Sequence, residues 1–180
     1  MSENENKSAT GIDEDTIRFF VWSVWNFFQS STGIEPEVGT PYLFDSFDHD
    51  DYTGIIGVSG NQRGAVYFTM CRELLDSIIS KNFPELEKEE CSEEQYEEMR
   101  NDYAGEMTNI VSGNVRNYLG EQFLISVPVV VTAKDTAMRM TQSTHGIIFP
   151  VTWNGFRCHL ILSLENNAQT NEHDILERVL

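Results

Sequence analysis

The chain has 180 residues, of which 40% are hydrophobic and 11% aromatic, and this composition excludes an intrinsically disordered protein. Its 12 Lys and Arg residues against 29 Asp and Glu residues give a formal net charge of −17, which argues against direct binding to nucleic acid phosphates. There is no apolar run of membrane-spanning length, no secretory signal at the polar start, and only three widely spaced cysteines, so a cytoplasmic protein without membrane contact is predicted.

The first half of the chain predicts a helix, then strands, then a second helix. Residues 1–11 are predicted to be a disordered tail. The acidic segment 45–51 lacks the pattern of a calcium-binding loop and is predicted to be a loop between strands. The two better strands are predicted to form a hairpin whose turn spans 59–63. The predicted elements are a buried helix over 13–33, strands over 38–44, 52–59 and 64–70, and a helix over 72–81.

The second half predicts one long helix followed by strands. Ser92 and Gln95 have the spacing of a capping box, which favours a helix start at this point. Pro128 interrupts an apolar run and predicts a strand edge or a bulge. Asn154 and Gly155 are typical of a two-residue type I′ turn and predict a hairpin. The predicted elements are a helix over 92–119, strands over 124–132, 146–153 and 156–164, and a tail or short helix over 166–180.

This order of elements predicts the fold class. Helices and strands occur in separate groups, which indicates an α+β protein with an antiparallel sheet and long helices packed on one face. We expect one domain over residues 12–165, with the tails outside it.

The long predicted helix carries a carboxylate and an amide on one face. Glu106 and Asn109 are three residues apart, so they lie within about 60° of each other around the helix axis and away from the apolar stripe. Gly105 and Gly113 flank Asn109, although a glycine inside a helix costs about 1 kcal/mol relative to alanine. Small residues let another surface approach closely, so this face is a candidate site. The alternative is a pair of solvated polar residues.

Other catalytic patterns are missing from the sequence. No Gly-x-Ser-x-Gly elbow, phosphate-binding loop or dinucleotide fingerprint occurs, and the four histidines do not have metal-ligand spacing. Glu106 and Asn109 have no adjacent nucleophile, so covalent catalysis is not supported. An amide both donates and accepts hydrogen bonds. It is therefore suited to orienting a water molecule against a phosphoryl group that is held elsewhere.

The long predicted helix resembles a known family. The run Asp102-x-x-x-Glu106-x-x-Asn109, continued by Ile-Val-Ser-Gly-Asn, resembles the signature helix of the CheC/CheX/FliY phosphatases of bacterial chemotaxis. The hairpin over 54–70 and the strand that contains Pro128 are also similar, and the resemblance covers most of residues 13–165. The first predicted helix carries no second Glu-x-x-Asn motif of the kind that CheC-type members have, so the chain resembles the CheX type, and this resemblance implies a CheX-like fold and a homodimer.

The resemblance implies a hydrolase that acts on a response regulator of two-component signalling. The substrate would be the aspartyl phosphate of a CheY-like receiver, with Asn109 holding the attacking water in line and Glu106 pairing with the receiver's active-site lysine. The receiver would supply Mg²⁺, and this chain would bind no metal or other cofactor. Gly105 and Gly113 would let the receiver approach, and Asp102 would contact it at the rim of the interface.

Two other functions remain open. The same fold can act as a receiver-binding adaptor or phosphorylation sink without catalysis, or as a structural dimer in which Glu106 and Asn109 only solvate a helix. The segment 85–102 has nine acidic and two basic residues. It is either a solvated loop and helix start, or a source of negative electrostatic potential that attracts a basic partner.

Overall fold

The structure is a computed structural model, and it describes residues 12–44, 46–85, 91–132, 137–139 and 146–166. The predicted tail over 1–11, part of the acidic segment, and all but the first residue of the predicted tail over 166–180 lie outside the described residues.

The described residues form three helices and ten strands. The helices are α1 (Glu14–Thr32), α2 (Arg72–Asn82) and α3 (Glu93–Leu119). The strands are β1 (Glu37–Val38), β2 (Tyr42–Phe44), β3 (Ser46–Asp48), β4 (Tyr52–Gly60), β5 (Gln62–Met70), β6 (Phe123–Ile125), β7 (Val129–Val131), β8 (Ala137–Arg139), β9 (Gly146–Trp153) and β10 (Phe156–Asn166).

Eight of the strands form one antiparallel sheet. Its order is β1-β9-β10-β5-β4-β6, with β2 also paired to β9 and β7 also paired to β4. The helices cover one face of this sheet, where alternate strand residues such as Phe68 and Trp153 pack against Phe28 of α1. On the other face, β3 and β8 form a two-stranded ribbon. The predicted α+β fold with an antiparallel sheet and helices on one face is confirmed.

Several predicted boundaries are confirmed. The capping box at the start of α3 is present: the Ser92 hydroxyl accepts a hydrogen bond from the Gln95 amide, and the Gln95 side chain accepts one from the Ser92 amide. Asn154 and Gly155 both have positive φ angles, 50° and 84°, as a type I′ turn requires. Pro128 separates β6 from β7. The turn predicted over 59–63 is confirmed, because the last pair between β4 and β5 is Val58 with Gly64, while Gly60 and Gln62 pair with other strands.

Two details of the predictions are wrong. The segment predicted as a loop over 45–51 contains β3, because Phe47 is buried against Ile148 and Ile161 on the second face of the sheet. Trp22 lies in α1, the helix that is predicted to be buried, but it is 39% exposed and packs edge-on against Tyr118.

Candidate functional site

The candidate site lies on α3, and a glycine in the sheet sets how closely this helix approaches. Gly54 of β4 has Thr108 directly above it: a Cβ at Gly54 would lie 1.9 Å from the Thr108 Oγ1 atom and 3.0 Å from the carbonyl oxygen of Ala104. Thr108 immediately precedes Asn109. The missing side chain at Gly54 therefore sets the height of the helix above the sheet at the candidate site.

The side of α3 is held by α1. The buried hydroxyl of Ser23 in α1 donates a hydrogen bond to the carbonyl oxygen of Val111, at 2.9 Å. Near the carboxyl end of α3, Tyr118 stacks on Phe19 of α1, with ring centroids 4.6 Å apart. These contacts join residues far apart in the sequence and hold α3 on two sides, by α1 and by the sheet.

The start of α3 is held by a buried arginine. Arg100 binds Asp76 of α2 through Nε at 2.7 Å, and binds Glu93 and Glu97 through Nη1 at 2.8 and 3.0 Å. Burial by itself would lower the pKa of Arg100, but the bonds to the carboxylates outweigh it and raise that pKa. The side-chain bond to Arg100 lowers the pKa of Glu93. Part of the acidic segment thus has partners within the chain.

Glu106 and Asn109 lie on the solvent-facing side of α3. Both residues are exposed, whereas Met107 and Val111 are buried on the opposite side of the helix. Within the described residues, neither side chain forms a hydrogen bond or an ion pair. The prediction that a carboxylate and an amide share the exposed face is confirmed, and both groups are available to another molecule.

The other three predicted site residues lie in different environments. Asp102 is exposed on the same face, about one turn before Glu106. Gly113 has no atom within 4 Å of the position where a Cβ would lie, so the space beside it is open. Gly105 is buried, and a Cβ there would lie 3.4 Å from Val130 Cγ2 and 3.9 Å from Pro128 Cγ. Residues of this chain cover Gly105 at ordinary contact distances, and the contact of Gly105 with a partner stays a prediction.

The negative charge of Glu106 affects the pKa of one tyrosine, Tyr103. Burial raises the pKa of Tyr103, and the negative charge of Glu106 adds to this effect, while a hydrogen bond from Asn82 opposes it. Tyr103 therefore stays protonated at neutral pH and presents no second negative charge beside Glu106.

Sequence reasoning missed the residues that hold the site in place. The Glu-x-x-Asn motif does not include Arg100, Asp76 or Gly54. The sequence around each of these residues does not indicate which distant residue it contacts. The available signal was Arg100 itself, one of only two basic residues among the acids of 85–102. A single base in an acidic helix is a candidate for a buried ion-pair network.

Metal chemistry by this chain finds no support in the described ranges. Their His, Cys, Asp and Glu side chains form no group of three or more that is able to hold a metal ion. The face around Asn109 is the outside of a helix, which offers an amide and a carboxylate to a site on another molecule. In the same part of the chain, no helix is both long enough and apolar enough to cross a membrane.

Comparison with protein families gives one match. A family model described as chemotaxis phosphatase CheX matches residues 52–152, which include β4, β5, α2, α3 and most of β9. No curated protein matches the chain.

Solved structures share the fold. A CheC-like superfamily protein from Shewanella sp. PV-4 is 26% identical over 86% of this chain and all of that one, with a TM-score of 0.74. The chemotaxis protein CheX from Vibrio vulnificus is 24% identical over 84% of this chain and 99% of that one, with a TM-score of 0.72. A CheX–CheY–BeF3–Mg²⁺ complex from Borrelia burgdorferi matches at 22% identity over 86% of this chain and all of that one, with a TM-score of 0.70.

Proposed function

The chain belongs to the chemotaxis phosphatase family CheX, and from this premise we propose that it hydrolyses the aspartyl phosphate of a CheY-like receiver domain. The observation that carries the proposal is the pair Glu106 and Asn109. Both side chains are exposed and form no hydrogen bond or ion pair with any described residue, on a helix that is held on several sides. A rigid helix that presents free polar groups is suited to insertion into the active site of another protein.

Asn109 is proposed to hold the attacking water. Its amide accepts a hydrogen bond from the water through Oδ1 and fixes the water in line with the phosphorus atom. Phosphoryl transfer depends mainly on position and on neutralisation of charge, so one well-placed amide has a large effect on the rate. The close contact between Thr108 and Gly54 supports this role, because it holds the neighbouring backbone of Asn109 in place.

Glu106 is proposed to bind the receiver rather than to move a proton. Its free carboxylate would form an ion pair with the receiver's active-site lysine and so fix the depth and direction of insertion. Asp102, on the same exposed face, would contact the rim of the receiver. Open space beside Gly113 leaves room for a loop of the receiver.

The receiver would supply everything that activates the phosphoryl group. The Borrelia burgdorferi relative was crystallised with CheY, BeF3 and Mg²⁺, and we propose the equivalent partner for this chain, with Mg²⁺ held by the receiver. We also propose that the protein is cytoplasmic and forms a homodimer, as the resemblance to the CheX type implies. Sedimentation of the purified protein tests the dimer independently of activity.

The test of the proposed function is phosphate release from a panel of phosphorylated receivers with Mg²⁺. We expect wild-type protein to accelerate release from one receiver by at least about tenfold, and Asn109→Ala to lose this acceleration while still binding the receiver. Asn117→Ala is the control, because it removes an exposed amide from the same helix about 12 Å from Asn109. Full turnover by Asn109→Ala would contradict the mechanism.

The same assay separates a second function. A protein that binds a receiver and leaves its rate of dephosphorylation unchanged, or slows it, is an adaptor or a phosphorylation sink. The net charge of −17, which suits docking to a basic partner, motivates this alternative. Acceleration at substoichiometric protein would rule it out.

A further inference from the structure

The edge of the sheet beside α3 contains a β-bulge. Val58 pairs with Ile125 and Ile55 pairs with Val129, so two residues of β4 face three residues of the edge, 126–128. We call these three residues the edge bulge. Such bulges occur often beside active sites, where the extra residue redirects a side chain.

Hydrogen bonds hold the edge bulge in one conformation. The Ser126 amide donates to the carbonyl oxygen of Gly57 at 2.9 Å, and the Gly57 amide donates back to the Ser126 hydroxyl at 2.9 Å. The same hydroxyl donates to the carbonyl oxygen of Val127 at 2.8 Å. The Val127 side chain is 80% exposed. An apolar β-branched side chain is thus presented to solvent by a backbone that three hydrogen bonds fix.

The edge bulge adjoins the candidate site directly. Pro128 and Val130 pack over Gly105, at 3.9 and 3.4 Å from the position of a Cβ there. Gly105 precedes Glu106 in sequence and lies about one turn before Asn109. Pro128 of the edge bulge therefore lies against the residue that precedes Glu106.

We propose that the edge bulge is the apolar part of the receiver-docking surface, with Val127 as a residue that determines affinity. The inference rests on the proposed function and names a further contact for it. Protein interfaces combine a small apolar centre with a polar rim. Val127 and Pro128 would supply the apolar contact, with Asp102 and Glu106 as charged neighbours. The complementary receiver surface presents an apolar patch beside its lysine.

A second copy of the chain is the competing occupant of this edge. Strand addition needs a regular row of free backbone N–H and C=O groups. Here the bulge interrupts that row, Pro128 has no N–H, and the carbonyl of Val127 already accepts a bond from Ser126. The interrupted edge is poorly suited to extending a sheet, whereas a single protruding side chain suits a pocket on a different surface.

The experiment compares Val127→Ser with Leu124→Ser. Leu124 is 47% exposed on the same edge, in β6, where it pairs with Ser59 rather than lying beside Gly105. We expect Val127→Ser to raise KM for the phosphorylated receiver about fivefold with kcat unchanged. Leu124→Ser should leave both constants within about twofold of wild type. Both side chains are exposed, so thermal unfolding should show intact folds.

Three results would overturn the inference. One is an unchanged KM for Val127→Ser. Another is an equal increase for both variants. The third is an increase that appears only where sedimentation shows loss of a dimer, which would assign the edge to a second copy. If wild-type protein accelerates no receiver, the proposed function fails separately. The affinity for a BeF3-loaded receiver then tests the docking role of the edge bulge. A fivefold loss of affinity for Val127→Ser relative to wild type would still support this role, and an equal affinity would overturn it.

Discussion

Thr108 of α3 lies over Gly54 of β4 so closely that a methyl group at Gly54 would overlap the threonine hydroxyl, at 1.9 Å. The contact joins the helix that carries the candidate site to the strand at the start of the family match. It also brings the two backbones close, because a Cβ at Gly54 would lie 2.8 Å from the Thr108 Cβ atom and 3.0 Å from the carbonyl oxygen of Ala104. The position of Asn109 is thus coupled to a residue 55 positions earlier in the sequence.

Gly54→Ala should therefore destabilise the protein and impair the site together. The new methyl group would push α3 away from the sheet, and we expect a loss of about 1–3 kcal/mol in the free energy of unfolding, measured with urea. Phosphatase activity should fall as well. Gly57→Ala on the same strand is the control, because its nearest neighbour is Ser126 Oγ at 3.5 Å, an ordinary contact. Equal stability of the two variants would contradict this explanation.

Arg100→Met should destabilise the protein strongly. It removes the cation bound to the largely buried carboxylate of Asp76, whereas Glu93 and Glu97 keep their contacts with Arg72. Removal of one partner from a buried ion pair costs about 3–5 kcal/mol. Arg18→Met provides the comparison, since Arg18 pairs with Glu14 at the exposed surface, where such pairs contribute about 0–1 kcal/mol. Urea unfolding of both variants measures the difference, and similar losses would show that the network contributes little.

Tyr52→Phe should weaken the dependence of stability on alkaline pH. Burial raises the pKa of Tyr52 from 10.0 to about 12, and the negative charge of Glu97 adds to this effect. Because the folded-state pKa exceeds the unfolded one, this contribution to stability is complete below pH 10 and is lost between pH 10 and about 12. Wild type should lose more free energy of unfolding across that range than Tyr52→Phe. Parallel curves would refute the assignment.

Glu106→Gln should weaken receiver binding more than it slows chemistry. Loss of the carboxylate removes the proposed ion pair, so we expect KM for the phosphorylated receiver to rise about tenfold with a smaller change in kcat. The salt dependence of KM should also decrease. Glu121→Gln, an exposed carboxylate just beyond α3, should behave as wild type. A loss confined to kcat would indicate a role in catalysis instead.

Local signals predicted much of the fold. Apolar spacing located the helices, Ser92 and Gln95 marked the start of α3, and Asn154 with Gly155 marked the last hairpin. The predictions from these signals were correct because each signal depends on residues within a few positions of one another. The predictions failed where a distant contact decides, as for Phe47, which forms a strand because Ile148 and Ile161 cover it.

Some features of the candidate site also depend on local sequence, and others depend on contacts between distant residues. The sequence by itself determined that Glu106 and Asn109 share an exposed helical face, because the rotation per residue of a helix is a local property. Only the tertiary structure decided that Gly105 packs under Pro128, that Gly54 admits Thr108, and that Arg100 holds α3 to α2. Each of these contacts joins residues at least 20 positions apart, and their free energies depend on a backbone approach that no local pattern encodes.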